Sequence, residues 1–355
     1  MITYKAKQLM ARAIGSAINL DTYIQERKDR YVLGYHRILS AKQAQCEGVH
    51  HSLWITPEML ESQIRWMRCV GEIVSYSRII DFTKSSDRPL FTLTFDDGWK
   101  DNNVHALPIL RKYHVPALIF LATDAVETGA LFWPQDIATK TQRVAAKGRS
   151  EQVVASLLEC WPERAPGRHV KQATVTVLVE QWIEAIKLLD ERERRQYIEQ
   201  YFRRLNLSTT PLEGFIMSWE EAREMHAFGI DFGSHTHHHS ILKGLPAELI
   251  ENELKLSRSL IAENLQIEAD SFCYPNGRYS GTEGAILSRC GYRFGFSLDS
   301  RSLRQCTDNF YIPRFLVSEG SAANAAYFKL GLLGAPVYRS KPHDPMKVRR
   351  KNHYS

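Results

Sequence analysis

Two β-prone runs, Leu90-Phe-Thr-Leu-Thr-Phe95 and Pro116-Ala-Leu-Ile-Phe-Leu121, stand on either side of a helical stretch that carries Leu107 and Leu110. Strand, helix and strand at this spacing predict a parallel sheet or barrel, because parallel neighbours need a crossover and a helix is the usual one. A strand over Tyr31–Ile38 precedes them, and a helix opens at Thr56-Pro57, with Thr as N-cap and Pro at the first helical position. Ile64, Met67 and Val70 continue that helix. The same rhythm returns later. Ser218-Trp-Glu-Glu221 has the spacing of a capping box, and its helix is expected to end near Gly229. A strand at Ile230–Gly233, a helix over Glu248–Asn264, a short strand at Ser271, a helix over Gly284–Cys290 and a strand over Tyr292–Leu298 follow. The alternation predicts an α/β chain. It is interrupted by a long, mostly helical segment, 126–214.

The 355 residues suit one large α/β domain or two smaller ones. At 44% hydrophobic and 24% charged, they are those of a globular protein and exclude wholesale disorder. The six cysteines form no CxxC pair, which excludes a zinc ribbon, and the length excludes a small disulfide-stapled domain. The net charge of +6 is too mild to indicate nucleic acid, and its distribution is more informative. Residues 339–355 hold six basic residues against one acid, and residues 1–30 hold six against three, which leaves the body at −2. The expected organisation is an N-terminal extension (1–30), a body (31–338) and a basic disordered tail (339–355). No apolar run reaches the roughly 20 residues that span a bilayer. Gln8–Leu20 reads as a short amphipathic helix and not as a secretion signal. It either lies on an anionic membrane surface or packs on the body. The expected location is therefore the cytoplasm, with the basic ends offering peripheral contact to the inner membrane face.

Four groups of residues could carry chemistry. Asp96 and Asp97 end an apolar strand, where paired carboxylates are costly unless something uses them. An ion there would neutralise one and leave the other as a base, and an ordinary Asp-Asp-Gly turn is the alternative. His235 and His239, in His235-Thr-His-His-His239, have the spacing that puts two imidazoles on one face of a helical turn. With one Asp they would make a metal site that keeps open positions for water and substrate. His36 closes the first strand and could face the same sheet edge. Phe272-Cys-Tyr-Pro-Asn-Gly277 reads as a rigid turn able to present a backbone N–H to a developing oxyanion.

Together these segments resemble the polysaccharide deacetylases of carbohydrate esterase family 4, the NodB homology domain. Thr94–Gly98 is similar to the family's first motif, His235–His239 to its second and Phe272–Gly277 to its third. The resemblance covers about 31–125 and 215–318. It implies a deformed (β/α) barrel of about seven strands with the site at the strands' C-terminal ends. It also implies that Asp97, His235 and His239 hold a divalent metal, zinc above all, and that Asp96 is the general base. Asn276 and Tyr274 would serve the oxyanion and the substrate. The chemistry implied is removal of acetyl from an N-acetylated sugar in a polysaccharide, glycolipid or lipid-linked saccharide during surface-polysaccharide synthesis.

Two departures stand out. The family's late Leu-x-His motif is absent, and Tyr35-His36 matches relatives resembling the poly-N-acetylglucosamine deacetylases, which carry this histidine on an N-terminal strand. The acid role therefore falls to His36. Cys273 stands where many members have the Arg that orients the base, leaving Arg278 and Arg314 as replacements. The insertion 126–214 either caps the groove, with Phe132, Trp133 and Asp136 as sugar contacts, or braces the barrel. A small-amide or cyclic-imide hydrolase on the same fold and a non-catalytic glycan-binding homologue are the competing functions.

Overall fold

The computed structural model describes residues 4–162, 174–298, 303, 306, 308–322 and 324–334. Among these, seven principal strands run parallel: β1 (Arg30–Tyr35), β2 (Leu90–Phe95), β3 (Ala117–Leu121), β4 (Ile230–Ser234), β5 (Ser271–Cys273), β6 (Phe294–Phe296) and β7 (Phe315–Leu316). Their spatial order is β7-β1-β2-β3-β4-β5-β6, and Glu72–Ile73 adds a short parallel partner to β2. β2 and β3 are buried along their whole length, as expected of strands covered on both faces. The two polar side chains of β2 are satisfied locally. Thr92 donates to Val74 O and Thr94 to Leu33 O.

The two edges of the sheet approach each other. Ser297 N–H donates to Ile312 O (2.8 Å) and Ile312 N–H to Gly295 O (2.7 Å), and three residues later Phe315 pairs with Leu33 of β1. The chain thus crosses from the β6 edge to the β1 edge and curls the sheet into a deformed barrel. Arg314 lies on that crossing.

Register decides what gathers at the C-terminal end. Tyr35 pairs with Phe95 and Leu121 with Ser234. Residues 36, 96 and 235 therefore all emerge from the same edge. The expected strand over Tyr31–Ile38 is interrupted at His36, with Arg37–Ile38 pairing separately with Trp54–Ile55. Ser218 and Glu221 form the capping box expected of them, opening Trp219–Ala227.

The segment 126–214 contains helices Trp133–Val144, Ser150–Glu159, Val175–Ile186 and Glu191–Leu205. They enclose an apolar core of their own around Ile137, Leu157, Trp182, Tyr201 and Phe202. The N-terminal helix Tyr4–Ala17 packs through Ala11 and Ile14 beside Tyr327 and Leu330 of Ala325–Leu332, leaving Leu9 exposed. No described helix is long and apolar enough to cross a membrane. The basic tail 339–355 lies outside the described residues.

Candidate active site and metal centre

The Asp96-Asp97-Gly98 turn leaves β2 with two successive left-handed residues, Asp97 (φ 77°) and Gly98 (φ 82°). Asp tolerates this region better than most residues do. Glycine is required next, since a Cβ at position 98 would also lie 2.8 Å from Leu121 Cδ2. The effect is that both carboxylates lie within reach of His235, although on a continuing strand they would point to opposite faces.

Asp97 is buried. Its Oδ2 accepts from Trp99 Nε1 at 2.9 Å, while Oδ1 has no hydrogen-bond partner. That orphaned oxygen faces His235 Nε2 at 3.4 Å and His239 Nε2 at 3.3 Å. One ligand atom from each of the three residues lies within 4.8 Å of the others. His235 Nδ1 donates to Cys273 O at 2.8 Å, the outer hydrogen bond that sets the tautomer and turns Nε2 inward. An otherwise unsatisfied carboxylate oxygen facing two Nε2 atoms fits a divalent ion of the zinc type. The two histidines converge from a loop at the sheet's C-terminal edge, as the Ser/Thr- and His-rich composition after a strand suggests. Residues 235–239 form a loop, in which Thr236 (φ 66°) and His239 (φ 57°) are left-handed.

Asp96 is also buried, and a two-pronged pair with Arg314 holds it. Nη1 donates to Oδ1 and Nη2 to Oδ2, each at 2.7 Å. Arg314 also donates to Thr94 Oγ1 (2.8 Å) and to Cys273 Sγ (2.9 Å). Of the two arginines left open, Arg314 is therefore the one that orients Asp96, and Arg278 is exposed. Cys273, at the position where the resemblance implies an Arg, lies against this guanidinium instead. Burial alone would raise the Asp96 pKa, but the Arg314 charge and hydrogen bonds outweigh it, and the carboxyl sits below its ordinary value. Burial likewise opposes charge on Asp97, yet the two imidazoles pull it well below the ordinary range. Burial disfavours a charged His235, but Cys273 and Asp97 together raise it well above the imidazole value. Burial pushes the Cys273 thiol up.

His36 Nε2 stands 3.9 Å from Asp96 Oδ2, with its side chain 12% exposed and its Nδ1 buried without a partner. The segment after the Asp-Asp-Gly turn fixes it. Asn102 Nδ2 donates to His36 O (2.8 Å), while Asp101 accepts from Arg37 Nε (2.8 Å) and Ile38 N–H (2.7 Å).

The remaining candidates divide. Asn276 is exposed in the Pro275–Gly277 turn, with φ 54°. Tyr274 is not presented to substrate. It is fully buried, its ring against Phe272 (5.0 Å) and Tyr311 (5.8 Å). Strand alternation explains this: Cys273 points at Asp96, so Phe272 and Tyr274 point the other way. Trp133 is likewise corrected. It packs on the insertion's own core, with the Arg194 guanidinium 5.1 Å from its ring. Asp136 is structural, accepting from Lys140 Nζ (2.7 Å) and Leu212 N–H (2.9 Å). Phe132 does reach the site. Its ring lies 5.0 Å from that of His239 and 5.5 Å from that of Trp99. Trp99, which tethers Asp97, was missed by sequence reasoning, although its place two residues after Asp97 was a local signal.

Comparison with known families decides the assignment: residues 83–153 and 168–295 match the family described as polysaccharide deacetylase. The chain belongs to the polysaccharide deacetylase family. The matched ranges take in Asp96, Asp97, His235, His239 and Cys273, so the metal-centre candidates lie in the family's own domain. A poly-β-1,6-N-acetyl-D-glucosamine N-deacetylase of Staphylococcus aureus is 26% identical over 113 residues, 29% of this chain and 39% of that protein. Its Staphylococcus epidermidis counterpart is 21% identical over 318 residues, 82% of this chain and 80% of that protein. Two solved structures share the fold. The Streptococcus pyogenes deacetylase PplD in complex with acetate is 18% identical, with TM-score 0.53, covering 83% of this chain and 96% of its own. IcaB from Ammonifex degensii is 20% identical, also with TM-score 0.53, covering 85% and 97%.

Proposed function

We propose that this polysaccharide deacetylase family member is a metal-dependent N-deacetylase acting on N-acetylglucosamine units of a surface polysaccharide. The observation that carries the proposal is the buried Asp96–Arg314 pair beside the unsatisfied Asp97 oxygen that faces His235 and His239. The substrate class rests on the staphylococcal relatives, whose names specify β-1,6-linked poly-N-acetylglucosamine.

Asp97, His235 and His239 would hold the ion, which would supply Lewis-acid polarisation of the acetamide carbonyl and acidify the attacking water. Asp96 accepts that water's proton. Arg314 keeps Asp96 ionised and fixes the plane of its carboxylate. Water oxygen bonds to the carbonyl carbon, and the backbone N–H of Asn276 shares the charge that develops on the carbonyl oxygen. The C–N bond then breaks. Protonated His36 delivers its proton to the leaving nitrogen, giving acetate and a free glucosamine amine. Phe132, against the His239 ring, gives the insertion a place at the mouth of the site.

The test is acetate release by the full chain from a β-1,6-linked N-acetylglucosamine oligomer. Turnover of that oligomer is expected. Hydrolysis of cyclic imides or small amides with no action on the sugar would overturn the proposal. His36→Ala is expected to lower kcat by about 10²–10⁴-fold, the usual contribution of one general acid. Bound metal should be unchanged, since His36 is not among its ligands. An unchanged kcat in His36→Ala would exclude the acid role.

A further inference from the structure

The loop that supplies His235 and His239 carries a second donor set that shares no residue with the first. Asp124, His237 and His238 each offer one ligand atom, and these atoms lie within 4.8 Å of one another. None of the three has a part in the deacetylation chemistry above.

The histidines are held as metal-binding histidines are held. His238 Nδ1 lies 2.7 Å from Glu253 Oε1. Ionised Glu253 only accepts, so the neutral imidazole carries its proton on Nδ1 and keeps a lone pair on Nε2. Glu253 Oε2 also accepts the backbone N–H groups of both His237 and His238, each at 2.9 Å, and Ser240 Oγ donates to Oε1 at 3.1 Å. His237 Nδ1 pairs with Thr123 Oγ1 at 2.9 Å. Asp124 is tied to the same place, its backbone N–H donating to His237 O at 2.9 Å. A carboxylate on one ring nitrogen, as Glu253 is for His238, is the usual outer shell of a metal-bound histidine. Glu253 thus fixes His237, His238 and Ser240 through four hydrogen bonds, more than a loop with only a solvated polar role needs.

We propose that Asp124, His237 and His238 form a second binding site for a divalent transition-metal ion, distinct from the catalytic one. Two imidazoles and one carboxylate suit zinc, nickel or copper better than magnesium or calcium. The ion would link helix Thr123–Thr128 to the 235–239 loop, which Glu253 already ties to helix Ala247–Leu265. It would thereby stiffen the loop that carries two catalytic ligands. The proposal does not rest on the deacetylase reading.

The experiment strips the full chain with chelator, titrates it with Zn²⁺ alone by calorimetry, and counts bound metal by mass spectrometry after dialysis. The wild type is expected to bind two equivalents. Asp124→Asn/His238→Gln should bind one and still release acetate, Asp97→Ala should bind one, and the combined variant none. A single equivalent in the wild type, or two retained in Asp124→Asn/His238→Gln, overturns the second site. Two equivalents retained in Asp97→Ala would instead contradict the catalytic metal centre and leave the second site standing. His238→Gln alone, at an exposed position, repeats the count should the double variant fail to fold.

Discussion

Asp96→Asn should lower the rate of acetate release by about 10²–10⁴-fold, the contribution of a positioned general base. Metal content should survive, although the neutral side chain leaves the buried Arg314 guanidinium without its counter-charge and lowers stability. Asn keeps the shape of the side chain and can still accept one of the two Arg314 hydrogen bonds, and Asp96 is not among the three residues whose ligand atoms surround the orphaned Asp97 oxygen. The loss should fall on kcat more than on KM, because proton removal occurs only on the way to the transition state. Measuring both constants alongside bound metal checks it. Equal metal with unchanged kcat would remove Asp96 from the chemistry.

Arg314→Met has the second large effect, and it acts in two ways. The guanidinium is fully buried and makes both of its carboxylate bonds to Asp96. Removing one partner of such a pair leaves a buried charge uncompensated, at a cost of about 3–5 kcal/mol. The pH dependence follows from the depressed Asp96 value. A carboxyl with a folded pKa below its unfolded one contributes stability above the unfolded value, and that stability is lost as pH falls through the folded value. The deficit of Arg314→Met should therefore be largest near neutral pH and shrink in acid. Activity moves with it. In the wild type the base stays ionised until the pH falls through its depressed pKa. In the variant, burial acts without its main opponent, so the acid limb of the pH–rate profile moves upward. Denaturant melts at two pH values and a pH–rate profile separate these effects. Arg314→Lys, which restores the charge without the two-pronged geometry, should recover part of the shift. An acid limb that stays in place would limit Arg314 to a packing role.

What the sequence disclosed follows the range of the interactions involved. The strand Leu90–Phe95, the Asp-Asp-Gly turn and the Ser218–Glu221 capping box are local patterns, and the structure has each where its residues put it. Asp97, His235 and His239 were legible as a set because each belongs to a short motif of fixed spacing. What the spacing did not disclose is that left-handed Thr236 and His239 are what bend that loop and bring the two rings together. The partner of Asp96 was not legible. Arg314 is 218 residues away in sequence and becomes a neighbour only when the chain crosses from the β6 edge to β1. Nothing local distinguishes it from Arg278. Tyr274 and Trp133 were misread for a simpler reason. Each adjoins a residue that does face the site, Cys273 and Phe132, and neighbours on a strand or at a helix start point in different directions. The long insertion gave no sign of its own core, because its amphipathic helices would look the same packed on the barrel or on one another.

On the proposed mechanism, acetate release depends on an ion held by Asp97, His235 and His239. The most direct measurement follows acetate release and bound metal together, for wild type and Asp97→Ala, before chelation, after it, and after Zn²⁺ is returned. Chelation should stop the wild type, Zn²⁺ should restore it, and Asp97→Ala should stay inactive throughout while folding normally. Acetate release at the wild-type rate by Asp97→Ala after its metal has been removed would contradict that mechanism.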